Sequence, residues 1–222
     1  MTHDALTELL SARHSCRAYL PDPVPRETIE RVLRAAQHVP SWCNAQPWKV
    51  HITGKEETTR LADALYSEAM AGTPAPEIPF PTAYTDKHRD RRRACGWQLY
   101  DAVGVKKGDR AGSARQMMEN FRFFGAPHMA LITAPRELGQ YAYLDCGGFI
   151  TGFCLAAKSL GLGTVPQAAI AGFAPFLRDW FDLDADRTIL AGIAFGLPDE
   201  KHPANAFRTD RADLTEWVAW KG

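Results

Sequence analysis

The sequence is short of most features that mark a specialised class. It has no surplus of charge: 26 Lys and Arg against 26 Asp and Glu leave a formal net charge of zero over 222 residues, so no whole-molecule field draws in nucleic acid or an anionic membrane. It has no long apolar run. Nothing approaches the ~20 uninterrupted residues of a membrane span, and Met1 to Leu20 mixes Asp4, Glu8, Arg13 and Arg17 into its apolar positions, unlike a signal peptide. The five cysteines (Cys16, Cys43, Cys95, Cys146, Cys154) are an odd number with no Cys-x-x-Cys pair, which reads as reduced thiols; a cytoplasmic location is expected. The seven histidines fall at no metal-ligand spacing, so no metal is expected. Gly161-x-Gly163 lacks the third glycine and the preceding strand of a dinucleotide fingerprint, and no Gly-x-Ser-x-Gly elbow is present. Cys16 and Cys43 have no base at a definable distance, so no nucleophile is nominated.

Hydrophobic residues make up 45% and charged residues 23%, which is the usage of one folded domain whose core needs neither disulfides nor metals. Ala5, Leu6, Leu9 and Leu10 lie at helical spacing within Thr2 to Ala12, and Ile29, Val32, Leu33 and Ala36 form a second stripe after Pro25. Trp48, Val50 and Ile52 alternate with polar residues as a strand does, and Gly54 turns it into a helix carrying Leu61, Ala64 and Leu65. A Pro-rich segment, Ala71 to Pro81, reads as a loop or lid. Tyr84 to Val105 and Ser113 to Phe124 are predicted helices, the first basic from Lys87 to Arg93 as a solvated face. Met129 to Thr133 and Thr188 to Phe195 read as two central strands. Between them Leu144 to Leu160 is apolar almost all round, as in a helix buried on several sides. Its Gly148, Gly152 and Ala156 form a small-residue ridge that suits either close intrachain packing or a two-fold contact with a second copy.

Two segments carry chemistry. Arg13, Ser15 and Arg17 offer two guanidinium forks and a hydroxyl within five residues, able to converge on a phosphate dianion; basic residues dressing a helix C-terminus are the plain alternative. Pro40-Ser41-Trp42-Cys43-Asn44-Ala45-Gln46-Pro47-Trp48 holds neutral donors and acceptors between prolines, which suits a heterocycle or a loop that satisfies itself.

Arg13-x-Ser15-x-Arg17 followed by Pro40-Ser41-x-x-Asn44-x-Gln46-Pro47-Trp48 resembles the opening motifs of the FMN-dependent nitroreductase family. Gly125-Ala126-Pro127, Gly161 to Pro166, Phe195 to Asp199 and Arg208 look like its later landmarks. The resemblance implies an α+β fold with a central, mainly antiparallel sheet flanked by helices, in an intertwined homodimer with FMN at the interface. It implies one domain over 1–222, with a lid or insert at about 71–112 and a C-terminal extension at about 199–222. Carried over, Arg13, His14, Ser15, Arg17 and Arg208 line the phosphate and ribityl side. Pro40, Ser41, Trp42, Asn44 and Gln46 reach the flavin from the partner chain, and Pro166, Gln167, Ala168 and Ala169 run along the ring. Trp42 stands where a small hydroxyl residue is common, and Gln167 where an acidic one is frequent. Trp42, Phe123 and Phe124 are expected on the substrate side; Asn120 and Arg122 match only loosely. The implied activity is two-electron, ping-pong reduction of nitroaromatic or related electrophiles by NADH or NADPH, with hydride carried by flavin N5 rather than by a catalytic side chain. A dehalogenase, enone or flavin/quinone reductase of the same family, or a non-catalytic FMN-binding sensor or carrier, stays open.

Overall fold

Thr2 caps the first helix by accepting the N–H of Ala5 on Oγ1 (3.3 Å), and Asp4 adds a carboxylate to the first turn of α1 (His3–Ala12). In this computed structural model, which describes residues 2–222, α2 (Arg26–Ala36) starts directly after Pro25 and buries Ile29, Val32 and Ala36. The remaining elements are β1 (Lys49–Thr53), α3 (Lys55–Ala71), α4 (Asp86–Ala102), α5 (Arg110–Met118), β2 (His128–Pro135), α6 (Gly139–Ser159), β3 (Gly163–Gln167), α7 (Ala174–Trp180) and β4 (Arg187–Gly196). Among the described residues no helix is long and apolar enough to cross a membrane.

The four strands form one antiparallel sheet in the order β1-β2-β4-β3, with β2 and β4 at its centre as their uninterrupted apolar runs predict. Pleat alternation divides the core into two layers. Ala130, Ile132, Ala134, Ile193 and Phe195 face α2 and α6, where Trp48 stacks on Phe149 (5.0 Å) and Phe153 meets Phe195 edge-on (5.4 Å). Met129, Leu131, Ile189 and Ala194 face the other way, toward α3, α7 and Phe121, Phe123 and Phe173. Ile189 and Ile193 lie on opposite faces despite even spacing, because the register shifts where Ile132 pairs with Ala191 and Thr133 with Ile189, leaving one extra residue in β4. The α+β layout and antiparallel sheet implied by the resemblance are what form.

Several sequence expectations are corrected. The helix predicted from Ser113 to Phe124 stops at Met118; a tight turn follows in which Phe123 (φ 53°) and Phe124 (φ 54°) are left-handed. Gly163 to Gln167 is a strand that the sequence did not reveal, and the helix after Ala174 was also missed. The long helix α6 is not covered all round: Tyr141, Leu144, Gly148 and Thr151 are exposed along one stripe, Leu144 at 70%. Its small-residue ridge divides. A Cβ on Gly152 would lie 2.6 Å from Val39 Cγ1, so Gly152 serves the α2 contact within the chain, whereas Gly148 opens onto free space.

The Pro-rich segment is tied down on the far side of the sheet. Ala75 N–H donates to Gly172 O (2.7 Å), and the Glu77 carboxylate accepts from Arg136, Arg178 and the backbone N–H of Ile189. Burial works against the charge of Glu77, but these donors outweigh it and hold its carboxyl below the ordinary value.

Candidate functional site

The loop carrying Arg13 to Arg17 is laid on the sheet by backbone pairing. Ser15 bridges Thr164 of β3, and Cys16 N–H donates to Thr164 O at 2.9 Å. The approach requires Gly163, where an added Cβ would sit 2.7 Å from Cys16 Sγ and 2.9 Å from its Cβ. Tyr19 reaches under the loop, its hydroxyl 3.1 Å from both Cys16 O and Ala194 O. Asn205, buried, joins this loop to the C-terminal segment: Oδ1 accepts the Arg17 N–H (2.7 Å), and Nδ2 donates to Ala18 O and Asp199 O (2.9 Å each). Arg208 Nη1 in turn donates to Asn205 O at 2.8 Å.

These elements enclose a cavity of about 820 Å³. Arg13, His14, Ser15, Arg17 and Arg208, nominated from the sequence, line it together, and Arg211 adds a further guanidinium. Thr151 and Cys154 of α6, Pro166 of β3 and Cys95 of α4 complete the wall, which contains no carboxylate. Four arginines around an acid-free space make an anion site. Burial disfavours the charge on Arg17 and lowers its pKa, yet no carboxylate pairs with it.

His14 is held below the ordinary histidine value, first by burial and then by Arg208 and Lys158, against the pull of Ala12 O. With Nδ1 facing Ala12 O at 3.4 Å, neutral His14 leaves Nε2 as an acceptor, and that atom is buried without a partner. An unsatisfied acceptor beside an arginine cluster fits a ligand with both phosphate and hydroxyl groups, so the residues present suit the phosphate and ribityl chain of FMN. The volume lies within the range of cofactor pockets.

Other nominated residues lie elsewhere. The pleat sends Pro166 into the cavity wall and Gln167 to the opposite face, where Nε2 donates to Asn120 O (2.8 Å) and Oε1 is buried without a partner. Ala168 and Ala169 follow at the end of β3, outside the lining. Pro40, Ser41, Trp42, Asn44 and Gln46 do not reach the cavity of their own chain. Ser41 Oγ accepts the Gln46 N–H (3.0 Å), Gln46 Nε2 donates to Asn44 Oδ1 (3.1 Å), and the Trp42 N–H faces the Asp145 carboxylate (3.1 and 3.2 Å). Trp42, 55% exposed, stands edge-on to Tyr141 with centroids 4.1 Å apart. Cys43, Asn44 and Gln46 have φ of 51°, 56° and 47°, so the loop carries backbone strain. Phe123 has no exposed surface and Phe124 only 6%, and neither lines this cavity.

Arg122 lies over Tyr66 (4.2 Å) rather than in the cavity. In the basic run of α4, Arg91 and Lys87 pair with Glu216 and Arg92 lies over Tyr84. No residue of 71–81 lines the cavity; from 71–112 only Cys95 does. Phe207, Arg211 and Cys154 were not found from the sequence, because no spacing links an aromatic or a thiol to this loop before the chain is folded.

Three comparisons with known proteins agree. A family model described as "Nitroreductase family" matches residues 10–197. A 4-nitrobenzoate reductase of Pseudomonas putida is 33% identical over 208 residues, 94% of this chain and 92% of that protein. The nitroreductase NfnB of Mycolicibacterium smegmatis is 32% identical over 213 residues, 96% and 91% of the two chains. A crystal structure of the FMN-dependent nitroreductase NfnB from Mycobacterium smegmatis in complex with NADPH superposes with a TM-score of 0.93 at 30% identity, covering 99% of both chains.

Proposed function

We propose, from the premise that this chain belongs to the nitroreductase family, that it is an FMN-dependent NAD(P)H oxidoreductase reducing nitroaromatic or related electrophilic compounds in ping-pong, two-electron steps. The observation that carries this reading is the acid-free cavity in which Arg13, His14, Ser15, Arg17 and Arg208 converge. FMN, when bound, supplies a carrier that takes a hydride from the nicotinamide and passes it to the acceptor.

The protein's part is to bind and to orient. Arg13, Arg17 and Arg208 supply the positive charge for a phosphate dianion, Ser15 a hydroxyl donor, and His14 Nε2 an acceptor for a ribityl hydroxyl. Ile150, Pro166 and Phe207 give apolar wall that keeps water from part of the space. No side chain is assigned as nucleophile or general base.

The active unit in this reading is a homodimer. The exposed stripe of α6 meets the 41–42 loop at Tyr141, where Trp42 packs, and the cavity at Thr151, ten residues farther on, or about 15 Å at ~1.5 Å per residue. In this reading a two-fold axis across the stripe would reverse the second helix and bring the second copy's 40–46 loop toward this cavity. That supports a role for Pro40, Ser41, Trp42, Asn44 and Gln46 that no single chain can give them.

The test is spectroscopic. Protein purified without added flavin is expected to be yellow or to take up one FMN per chain, to bleach with NADPH or NADH, and to recolour with 4-nitrobenzoate. A colourless protein that ignores FMN removes the proposal; one that binds FMN but does not bleach is a carrier or sensor.

A further inference from the structure

We infer that Phe124 and Phe207 are positioning residues that hold the Arg17 guanidinium between two aromatic rings, and that the left-handed turn at Phe123-Phe124 is the strain the chain carries to build this clamp. The inference rests on the reading of the cavity as an FMN site and adds to it the means by which one arginine is kept aimed there.

Arg17 Cζ lies 6.0 Å from the centroid of the Phe124 ring and 5.9 Å from that of Phe207. Its one side-chain hydrogen bond among the described residues runs from Nη1 to Ser15 O at 3.3 Å. Arg17 lines two open spaces, the 820 Å³ cavity and a second of about 590 Å³ whose lining includes Phe124 and Arg115 and the carboxylates of Asp109, Glu119 and Asp199, none of which pairs with Arg17 among the described residues. A long, flexible cation bordering both spaces has room to swing toward either, and Ser15 O is the one acceptor its side chain uses. The two rings close that freedom.

The choice of rings over a carboxylate has a physical consequence. An acidic partner would fix Arg17 but cancel its charge. The negative face of an aromatic ring attracts the guanidinium and leaves it cationic, available to an anionic ligand group.

The backbone at residues 123–125 points the same way. Phe123, Phe124 and Gly125 have φ of 53°, 54° and 77°, and only glycine occupies that region without strain. Phe123 is wholly buried in the core, as an unstrained core phenylalanine could also be. Phe124 is not spent on the core alone: it lines the second cavity and shows its ring to Arg17. Strained backbone persists where the surroundings over-determine it and clusters at sites that bind.

The experiment is a double-mutant cycle read as the dissociation constant of FMN, from quenching of flavin fluorescence on titration with apoprotein. Phe124→Leu and Phe207→Leu keep apolar volume and lose the ring face; Phe124→Tyr and Phe207→Tyr keep the face. Each Leu variant is expected to weaken FMN about 3- to 10-fold, with Tyr within about twofold of the parent. In an Arg17→Ala background the Leu substitutions are expected to add nothing. Equal losses with and without Arg17, equal losses for Tyr and Leu, or no loss in the Leu variants would overturn the clamp while leaving the FMN reading intact. A parent protein that takes up no FMN overturns both. Phe207 is only half-buried on an exposed segment, so its variants carry the test should Phe124→Leu fail to fold.

Discussion

His128 has both ring nitrogens committed inside the protein. Nε2 accepts the Val24 N–H at 2.9 Å, which leaves the proton on Nδ1 to be donated to Thr53 O at 3.0 Å, while the ring stacks on Phe195. Burial holds its pKa below the ordinary histidine value, against a smaller opposing pull from Thr53 O. The sign follows from linkage. The unfolded chain takes up the proton first as pH falls, so the stability that neutral His128 contributes is complete above about pH 6.5 and is lost below it. His14 and His51 are also held low, chiefly by burial, and act in the same direction. Urea denaturation at pH 7 and pH 5.5 is expected to show a fall in stability, and His128→Gln to flatten it by up to about 1.4 kcal/mol per pH unit; an unchanged slope would sink this assignment. His14, a residue of the cavity lining, has the opposite circumstance, since its buried Nε2 has no partner. In the sequence both are isolated histidines. What separates a structural from a binding histidine is which partners the fold brings, and neither Val24 nor Thr53 is near His128 along the chain.

At the scale of elements, what the sequence revealed depended on whether an element's pattern is internal to it. The stripe Ile29, Val32, Leu33, Ala36 and the runs of β2 and β4 carry their own periodicity and were legible. β3 was not: Gly-Thr-Val-Pro-Gln opens on glycine and contains a proline, a composition that argues against a strand unless the strand lies at an edge, as β3 does. The Arg-x-Ser-x-Arg spacing was legible because all three side chains leave one short loop. The orientation of Gln167 was not, because it depends on the pleat of an unrecognised strand. The joint between the loop and the C-terminal segment was invisible as well, since Asn205 works through Arg17, Ala18 and Asp199. Asn205→Leu keeps the volume and strands the Arg17 N–H and two carbonyls away from water. It is expected to cost about 2 to 3 kcal/mol in urea denaturation and to weaken FMN binding, because the backbones carrying Arg17 and Arg208 come apart. Full stability with parental FMN affinity would show that the loop is held without it.

For the molecule as a whole, zero net charge conceals a division of labour: arginines are collected around one cavity, and apolar side chains are left bare along the α6 stripe and its surroundings. Leu144 at 70% exposure and Tyr141 at 57% lie on one side of α6 with Trp42 at 55% packed beside them, and in the homodimer proposed above a symmetric copy would cover all three at once. Two glycines on that helix separate the alternatives. Gly148 faces open space, so Gly148→Leu is expected to leave the folded chain intact and to obstruct only a close-packed second copy. Gly152→Leu meets Val39 inside the chain and is expected to lower the melting temperature first. Leu144→Asp puts a charge at the centre of the stripe and is expected to give a monomer by light scattering with unchanged circular dichroism. If the cavity needs the partner's loop, that monomer loses FMN at concentrations where the parent retains it. A Leu144→Asp protein that stays dimeric moves the interface off α6, and one that is monomeric yet keeps FMN as tightly as the parent shows that the arginine cavity of one chain suffices.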